Sequence, residues 1–215
     1  VALYDAAFRI QKKDGKVVKV VDYPLYFRNV APEKLPEEGG QIYTWSANLS
    51  QSINPSWVIM LTPLVVAFFT YLRSRKKEPS TPTKIAFGLL ISALSVLVMV
   101  AAVHIGNNGT EKVSVWWLVA NYGVITIGEL FLSPMGLSVV SKLSPKNITA
   151  LMMGGWFLST SIGNKLSGVL ASLWDTYDDK TNFFWINFSL LMFATLLMFG
   201  LVKNLNKVMK EKGIN

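Results

Sequence analysis

The 215-residue sequence contains no cysteine and a single histidine. Disulfide bonds, thiol chemistry and cysteine-ligated metal sites are therefore excluded, and one histidine leaves little for any other metal site. Charged residues are also scarce, at 16% against roughly a quarter in soluble domains, whereas 51% of the residues are hydrophobic. No glycine-rich phosphate loop, HExxH motif or nucleophile elbow occurs. These absences argue against an enzyme or a cofactor, and they predict a chain that resides in a membrane.

Five apolar stretches approach or exceed the roughly 20 residues that a helix needs to cross a bilayer. They cover residues 53–72, 85–105, 113–140, 150–174 and 183–202. The sequence therefore predicts an all-α integral membrane protein with about five transmembrane helices. We expect these helices to form one bundle over residues 51–205, followed by a cytoplasmic tail at 206–215.

Residues 1–50 are much more polar than the rest of the chain. A Lys13-Asp14-Gly15 turn stands before an alternating run at 17–20, which predicts a water-facing β-hairpin. The alternative is that residues 1–8 are the end of a truncated membrane helix. The chain begins at Val1 without a signal-type segment, so we expect it to continue a longer protein.

Lysines and arginines are concentrated in alternate connections. The loops after the first and third spans and the C-terminal tail are basic, whereas the loops after the second and fourth are neutral or acidic. Because short basic loops are retained in the cytoplasm, this pattern predicts a multi-pass protein of the inner (cytoplasmic) membrane, with a cytoplasmic C-terminus and residues 1–50 outside. The net charge of +8 is then explained by topology and contact with membrane lipids, without a nucleic-acid partner.

Two ionisable residues, Glu129 and Lys165, lie within the apolar spans. A carboxylate near the bilayer centre is costly, so we expect Glu129 to meet a ligand or a partner. Ser133 follows it by one helical turn, and Pro134 frees a backbone carbonyl beside it. One rival interpretation is a buried ion pair of Glu129 with Lys165 that merely holds the bundle together. In another, Lys165 snorkels to the membrane interface.

The fourth span carries polar and small residues at helical spacing. This face consists of Trp156, Ser159, Thr160, Gly163 and Ser167. Its small residues allow a neighbouring helix to approach closely. Trp156 is also consistent with the aromatic belt at a membrane interface.

Asn54-Pro55 in the first span has two interpretations. It is either an N-cap followed by proline at the first helical position, or part of a helix that begins near Thr44. In the second case the Asn54 amide is exposed inside a proline-broken helix, as in many transporter sites.

Three motifs, in the expected order, resemble the proton-coupled oligopeptide transporters of the major facilitator superfamily. Residues 128–138, Gly-Glu-Leu-Phe-Leu-Ser-Pro-Met-Gly-Leu-Ser, are similar to the tenth helix of that family. Residues 51–55 resemble the eighth helix, and residues 153–159, continuing to Gly163-Asn164, resemble the eleventh. The resemblance implies that the chain is the C-terminal half of such a transporter, with helices eight to twelve.

The resemblance also implies the site and the mechanism. Glu129 would contact the amino terminus of a di- or tripeptide, and the same cavity would be lined by Asn54, Ser133, Trp156, Ser159 and Thr160. Two bundles would alternate access to this site while protons enter with the peptide, so no cofactor is implied.

The family's E-x-x-E-R motif belongs to the N-terminal helical bundle, which is missing from this chain and would be its partner. We therefore do not expect this half alone to couple protons to transport. The alternative function is a non-transporting membrane scaffold or receptor built on the same helices.

Overall fold

A computed structural model of the chain describes residues 12–13, 16–17, 47–108, 111–211 and 213. Most of these residues lie in five long helices. These are α1 Ala47–Ser74, α2 Thr81–Ile105, α3 Trp116–Leu143, α4 Thr149–Ser172 and α5 Lys180–Glu211. A short 3-10 turn, Leu173–Asp175, follows α4. The predicted all-α class is confirmed.

Two short strands, β1 Lys12–Lys13 and β2 Lys16–Val17, pair antiparallel with Lys12 opposite Val17. They flank Asp14 and Gly15, two of the three residues at which the sequence predicts a turn. Residues 47–50, predicted to belong to the outer segment, form the start of α1. The rest of that segment, including the alternative membrane helix at 1–8, lies outside the described residues.

α1, α2 and α5 extend beyond the apolar stretches that predict them, whereas α3 lies three residues further along the chain than predicted and α4 ends two residues earlier. The largest extension is in α5, which continues to Glu211 through residues predicted to form a tail. Only about 20 residues are needed to cross the hydrocarbon, and a helix can continue into the interface, where long basic side chains reach water. Hydropathy therefore marks the part of each helix inside the membrane rather than the whole helix.

Four of the helices in the described part, α1, α2, α3 and α5, are long and apolar enough to cross a membrane. α4 has the length, at 24 residues, but it contains serine, threonine and glycine residues together with Asn164 and Lys165. Its crossing of the bilayer remains a prediction.

α2 lies between α3 and α5, while α1 and α4 each pack against α3. The α2–α3 contact is made by small residues: a Cβ added to Gly128 would meet the Gly88 carbonyl oxygen and the Ser92 side chain. Small residues allow two helix backbones to approach closely where lipid supplies no hydrophobic driving force for association. Large apolar side chains are instead found outside, with Ile59 75% and Leu151 73% exposed, as expected where lipid solvates the surface.

Contacts between helix ends establish the direction of the helices. At one side, Asn108 after α2 donates its amide Nδ2 to the Asp178 carbonyl (3.0 Å), and the Lys180 N–H of α5 donates to Asn108 Oδ1 (2.7 Å). At the other side, Phe87 near the start of α2 packs edge-on against Phe199 in the second half of α5, with ring centroids 5.8 Å apart. α2 and α5 are therefore antiparallel.

Candidate functional site

α1 and α3 bring an amide and a carboxylate together near the midpoint of α3. Asn54 Nδ2 donates to Glu129 Oε2 over 3.1 Å, and both residues are half-buried. A hydrogen bond to a charged acceptor typically contributes about 1.5–3 kcal/mol. The two groups are 75 residues apart in sequence, so this bond links α1 to α3.

The structure decides between the two interpretations of Asn54. α1 begins at Ala47, and both Pro55 and Pro63 lie inside it, so the N-cap interpretation is wrong. A helix can continue through a proline when it gives up one backbone hydrogen bond. Asn54 therefore lies within the helix, and its amide is directed to a neighbouring helix.

Trp57, which the sequence analysis did not single out, makes a second contact between the same helices. Its indole N–H donates to the Val119 carbonyl over 3.0 Å, and its ring lies against Gly123. Trp57 follows Asn54 by three residues, so the two side chains lie on neighbouring parts of one helix face. The i, i+3 spacing of Asn54 and Trp57 is the signal in the sequence that could have identified Trp57.

Ser133 and Pro134 lie one turn after Glu129 on α3, and both are exposed. α3 is continuous through Pro134, from Trp116 to Leu143. Ser133 is thus accessible next to the carboxylate, on the helix that carries it.

Trp156 packs its indole ring against Gly136 of α3, where any added Cβ would overlap the ring. The hydroxyls of Ser159 and Thr160 donate back to the Trp156 carbonyl, at 2.7 and 3.2 Å, and both residues are exposed. In the described part of the chain, no hydrogen bond joins this group to Glu129. The predicted site residues therefore form two clusters on α3. Glu129 meets Asn54 of α1 in one, and Gly136 meets Trp156 of α4 in the other.

The proposed ion pair of Glu129 and Lys165 does not form. Within the described ranges, the ion pairs are those of Glu78 with Arg73 and Lys84. Lys165 is exposed on α4, whose Trp156 contacts α3 at Gly136, while Glu129 is bonded to α1. The ion-pair interpretation is wrong because the two side chains face different surroundings.

These features define the chain as a multi-pass helical membrane protein with a polar pair between two of its helices. Comparison with known proteins adds the family. A family model described as the POT family matches residues 37–186, and the chain belongs to that family. The resemblance noted in the sequence is thereby confirmed.

Individual relatives agree with the family match. Dipeptide and tripeptide permease A of Proteus mirabilis is 35% identical over 132 residues, which is 61% of this chain and 26% of the permease. Peptide transporter YePEPT of Yersinia enterocolitica is 38% identical over 121 residues, covering 56% of this chain and 24% of that transporter. A crystal structure of a peptide transporter POT in complex with sulfate superimposes with a TM-score of 0.66 at 31% identity, over 74% of this chain and 32% of that one. The matched part of the chain thus spans 24–32% of the length of these proteins.

Proposed function

We infer that this chain forms one wall of the peptide site in a proton-driven symporter of di- and tripeptides. The observation that carries this inference is the Asn54–Glu129 pair, a carboxylate held by an amide between two membrane helices. Membership of a transporter family, and relatives named as dipeptide and tripeptide permeases, support the same substrate class.

The carboxylate is suited to the amino terminus of a peptide. A peptide ammonium offers a positive charge with three N–H donors, and a carboxylate in a low-dielectric region attracts it strongly. Within the described ranges Asn54 donates to Oε2 of Glu129 and no hydrogen bond reaches Oε1, which could accept from a ligand. The amide also orients the carboxylate in advance, which lowers the entropic cost of binding.

The remaining residues of the proposed wall supply weaker contacts. Ser133 would share a ligand with Glu129 from the next turn of α3. The exposed hydroxyls of Ser159 and Thr160 retain acceptor lone pairs, and Trp156 offers an aromatic face. The polar character of α4 fits a helix that faces a water-filled cavity instead of lipid.

Transport in this proposal proceeds by alternating access, with a second bundle closing the cavity from the other side. A proton that neutralises Glu129 would weaken its attraction for the ammonium and favour release. The orientation that follows from the basic loops has the C-terminus in the cytoplasm of a cell with the protein in its inner membrane.

The first test is Glu129→Gln in the full-length transporter, reconstituted in liposomes with an imposed proton gradient. We expect dipeptide uptake to be lost while insertion and folding are retained. The matched control is Glu111→Gln, which changes an exposed acid in the loop between α2 and α3 and should leave uptake intact. Normal uptake by the Glu129→Gln protein would favour the scaffold or receptor function instead.

A binding experiment tests the role of Glu129 directly. We expect the unmodified transporter to bind a dipeptide about 10- to 100-fold more tightly than its N-acetylated form, because acetylation removes the charge that meets the carboxylate. In the Glu129→Gln protein this preference should largely disappear. An unchanged preference would assign recognition of the ammonium to another residue.

A further inference from the structure

A polar cavity lies where the end of α1, the start of α2 and the end of α3 meet, away from the Asn54–Glu129 pair. It encloses about 560 Å³. Its lining includes the charged residues Arg73, Glu78, Lys84 and Lys142, together with Ser138. Three separate elements therefore contribute charge or hydroxyl groups to one hollow at a membrane face.

The charges in this cavity do not balance. Glu78 accepts two hydrogen bonds from Arg73, at 2.7 and 3.1 Å, and one from the Lys84 ammonium. One carboxylate is thus paired with two cations, and Lys142 from α3 is a third cation in the lining of the cavity. Among the described lining residues Glu78 is the acid available, so an excess of positive charge remains.

Lys84 is a fixed charge, unlike an ordinary surface lysine. It is only 5% exposed, and its Nζ lies 4.4 Å from the centroid of the Phe69 ring. A buried ammonium is costly unless it is paired, and here Glu78 and the aromatic face hold it in place. Because its side chain is already ordered, little further entropy is lost when an anion approaches.

The start of α2 adds to the positive potential. Ser80 occupies its N-cap position, and its hydroxyl lies 2.7 Å from the Thr83 hydroxyl instead of capping a backbone N–H of the first turn. The N-terminal end of a helix carries a partial positive charge. This effect adds to the three cations of the cavity and favours a negatively charged ligand.

We propose that this cavity binds a phosphate group, presented by an anionic lipid headgroup or by free phosphate, with Lys142 and Ser138 in direct contact. Buried Lys84, held by Glu78, supplies a fixed positive charge, and the more exposed Arg73 adds to it. The location at the ends of three membrane helices suits a lipid headgroup, since anionic lipids attract basic groups next to a membrane surface. The site is independent of the proposed peptide transport.

The test uses the chain in nanodiscs made of phosphatidylcholine, with or without phosphatidylglycerol. Lys142→Gln removes the cation that we propose to be in direct contact with the phosphate group. Lys146→Gln is the matched control, because it removes an exposed lysine from the following turn, outside the cavity. We expect phosphatidylglycerol to raise the Tm of the unmodified chain and of Lys146→Gln equally. Lys142→Gln should bind this lipid about five-fold more weakly and show a smaller shift.

A second arm adds inorganic phosphate to phosphatidylcholine nanodiscs, against chloride at equal ionic strength. A full Tm shift with phosphate alone identifies free phosphate as the ligand, whereas a shift only with phosphatidylglycerol identifies the lipid. Equal responses of Lys142→Gln and Lys146→Gln in both arms would overturn the proposal. If Lys142→Gln does not fold, Ser138→Ala takes its place, and its Tm shifts in both arms are compared with those of Lys146→Gln.

Discussion

Gly128 lies at the contact between α2 and α3, immediately before Glu129, and offers a direct test of the packing. A Cβ at this position would lie 2.8 Å from the Gly88 carbonyl oxygen and 3.1 Å from the Ser92 backbone nitrogen, and would overlap the Ser92 hydroxyl. Backbone atoms cannot rotate away as the end of a side chain can. Gly128→Ala should therefore force the helices apart, at a cost of about 1–3 kcal/mol.

Gly200→Ala in α5 is the matched control, because nothing lies within 4 Å of a Cβ added there. Alanine is favoured over glycine in a helix by about 1 kcal/mol, and this gain is common to both variants. The difference between them therefore isolates the overlap. We expect Gly128→Ala to be less stable than Gly200→Ala by about 1–3 kcal/mol in reversible unfolding by sodium dodecyl sulfate, followed by circular dichroism.

Ser92→Ala in the Gly128→Ala background identifies the atoms responsible. The Gly88 carbonyl would still obstruct the new methyl group, so we expect only partial recovery of stability. Complete recovery, or equal stability of Gly128→Ala and Gly200→Ala, would refute the reasoning from backbone contact.

Two further predictions concern the cavity and the α3–α4 contact. Hydrogen bonds from Arg73 and then Lys84 lower the pKa of Glu78 from 4.5 to about 2. Ionised Glu78 therefore stabilises the folded state above about pH 4.5. This stabilisation is lost as the pH falls toward 2, because the carboxylate becomes protonated. The difference in Tm between the unmodified chain and Glu78→Gln should shrink over that range, and a constant difference would contradict the assignment. Gly136→Ala should destabilise the chain much less when Trp156 is already replaced by alanine than when Trp156 is present. A double-mutant cycle of unfolding free energies should give a coupling of about 0.5–3 kcal/mol. Additive effects of the two substitutions would contradict the contact.

The all-helical fold was predictable because lipid imposes a local rule. Backbone N–H and C=O groups must be satisfied within each segment, so an apolar stretch of sufficient length becomes a helix whatever its neighbours are. The helix ends were less predictable. α1 begins at Ala47, although Asn54-Pro55 has the chemistry of a helix start, because a membrane helix tolerates an interior proline where neighbouring groups satisfy the freed backbone carbonyl.

Contacts between helices were outside the reach of the sequence patterns. The predicted second span begins at residue 85 and so leaves Lys84 in the preceding loop, yet Lys84 lies in α2 and is buried against Phe69 with Glu78 as its partner. The charge of Glu129 indicated that it needs a partner and favoured a ligand, with Lys165 as the rival partner. Which group meets the carboxylate depends on how α1 and α4 are placed around α3, and hydropathy contains no information on that placement.

α3 connects these observations, because different faces of it contact three other helices. Gly128 faces α2, Glu129 bonds to α1, and Gly136 receives the Trp156 ring of α4. Consecutive residues on a helix are about 100° apart, so Gly128 and Glu129 necessarily point to different neighbours. The close approach that Gly128 permits therefore sets how far the next residue extends toward α1. A methyl group at Gly128 should displace the Glu129 carboxylate from Asn54 without altering any atom of the pair itself.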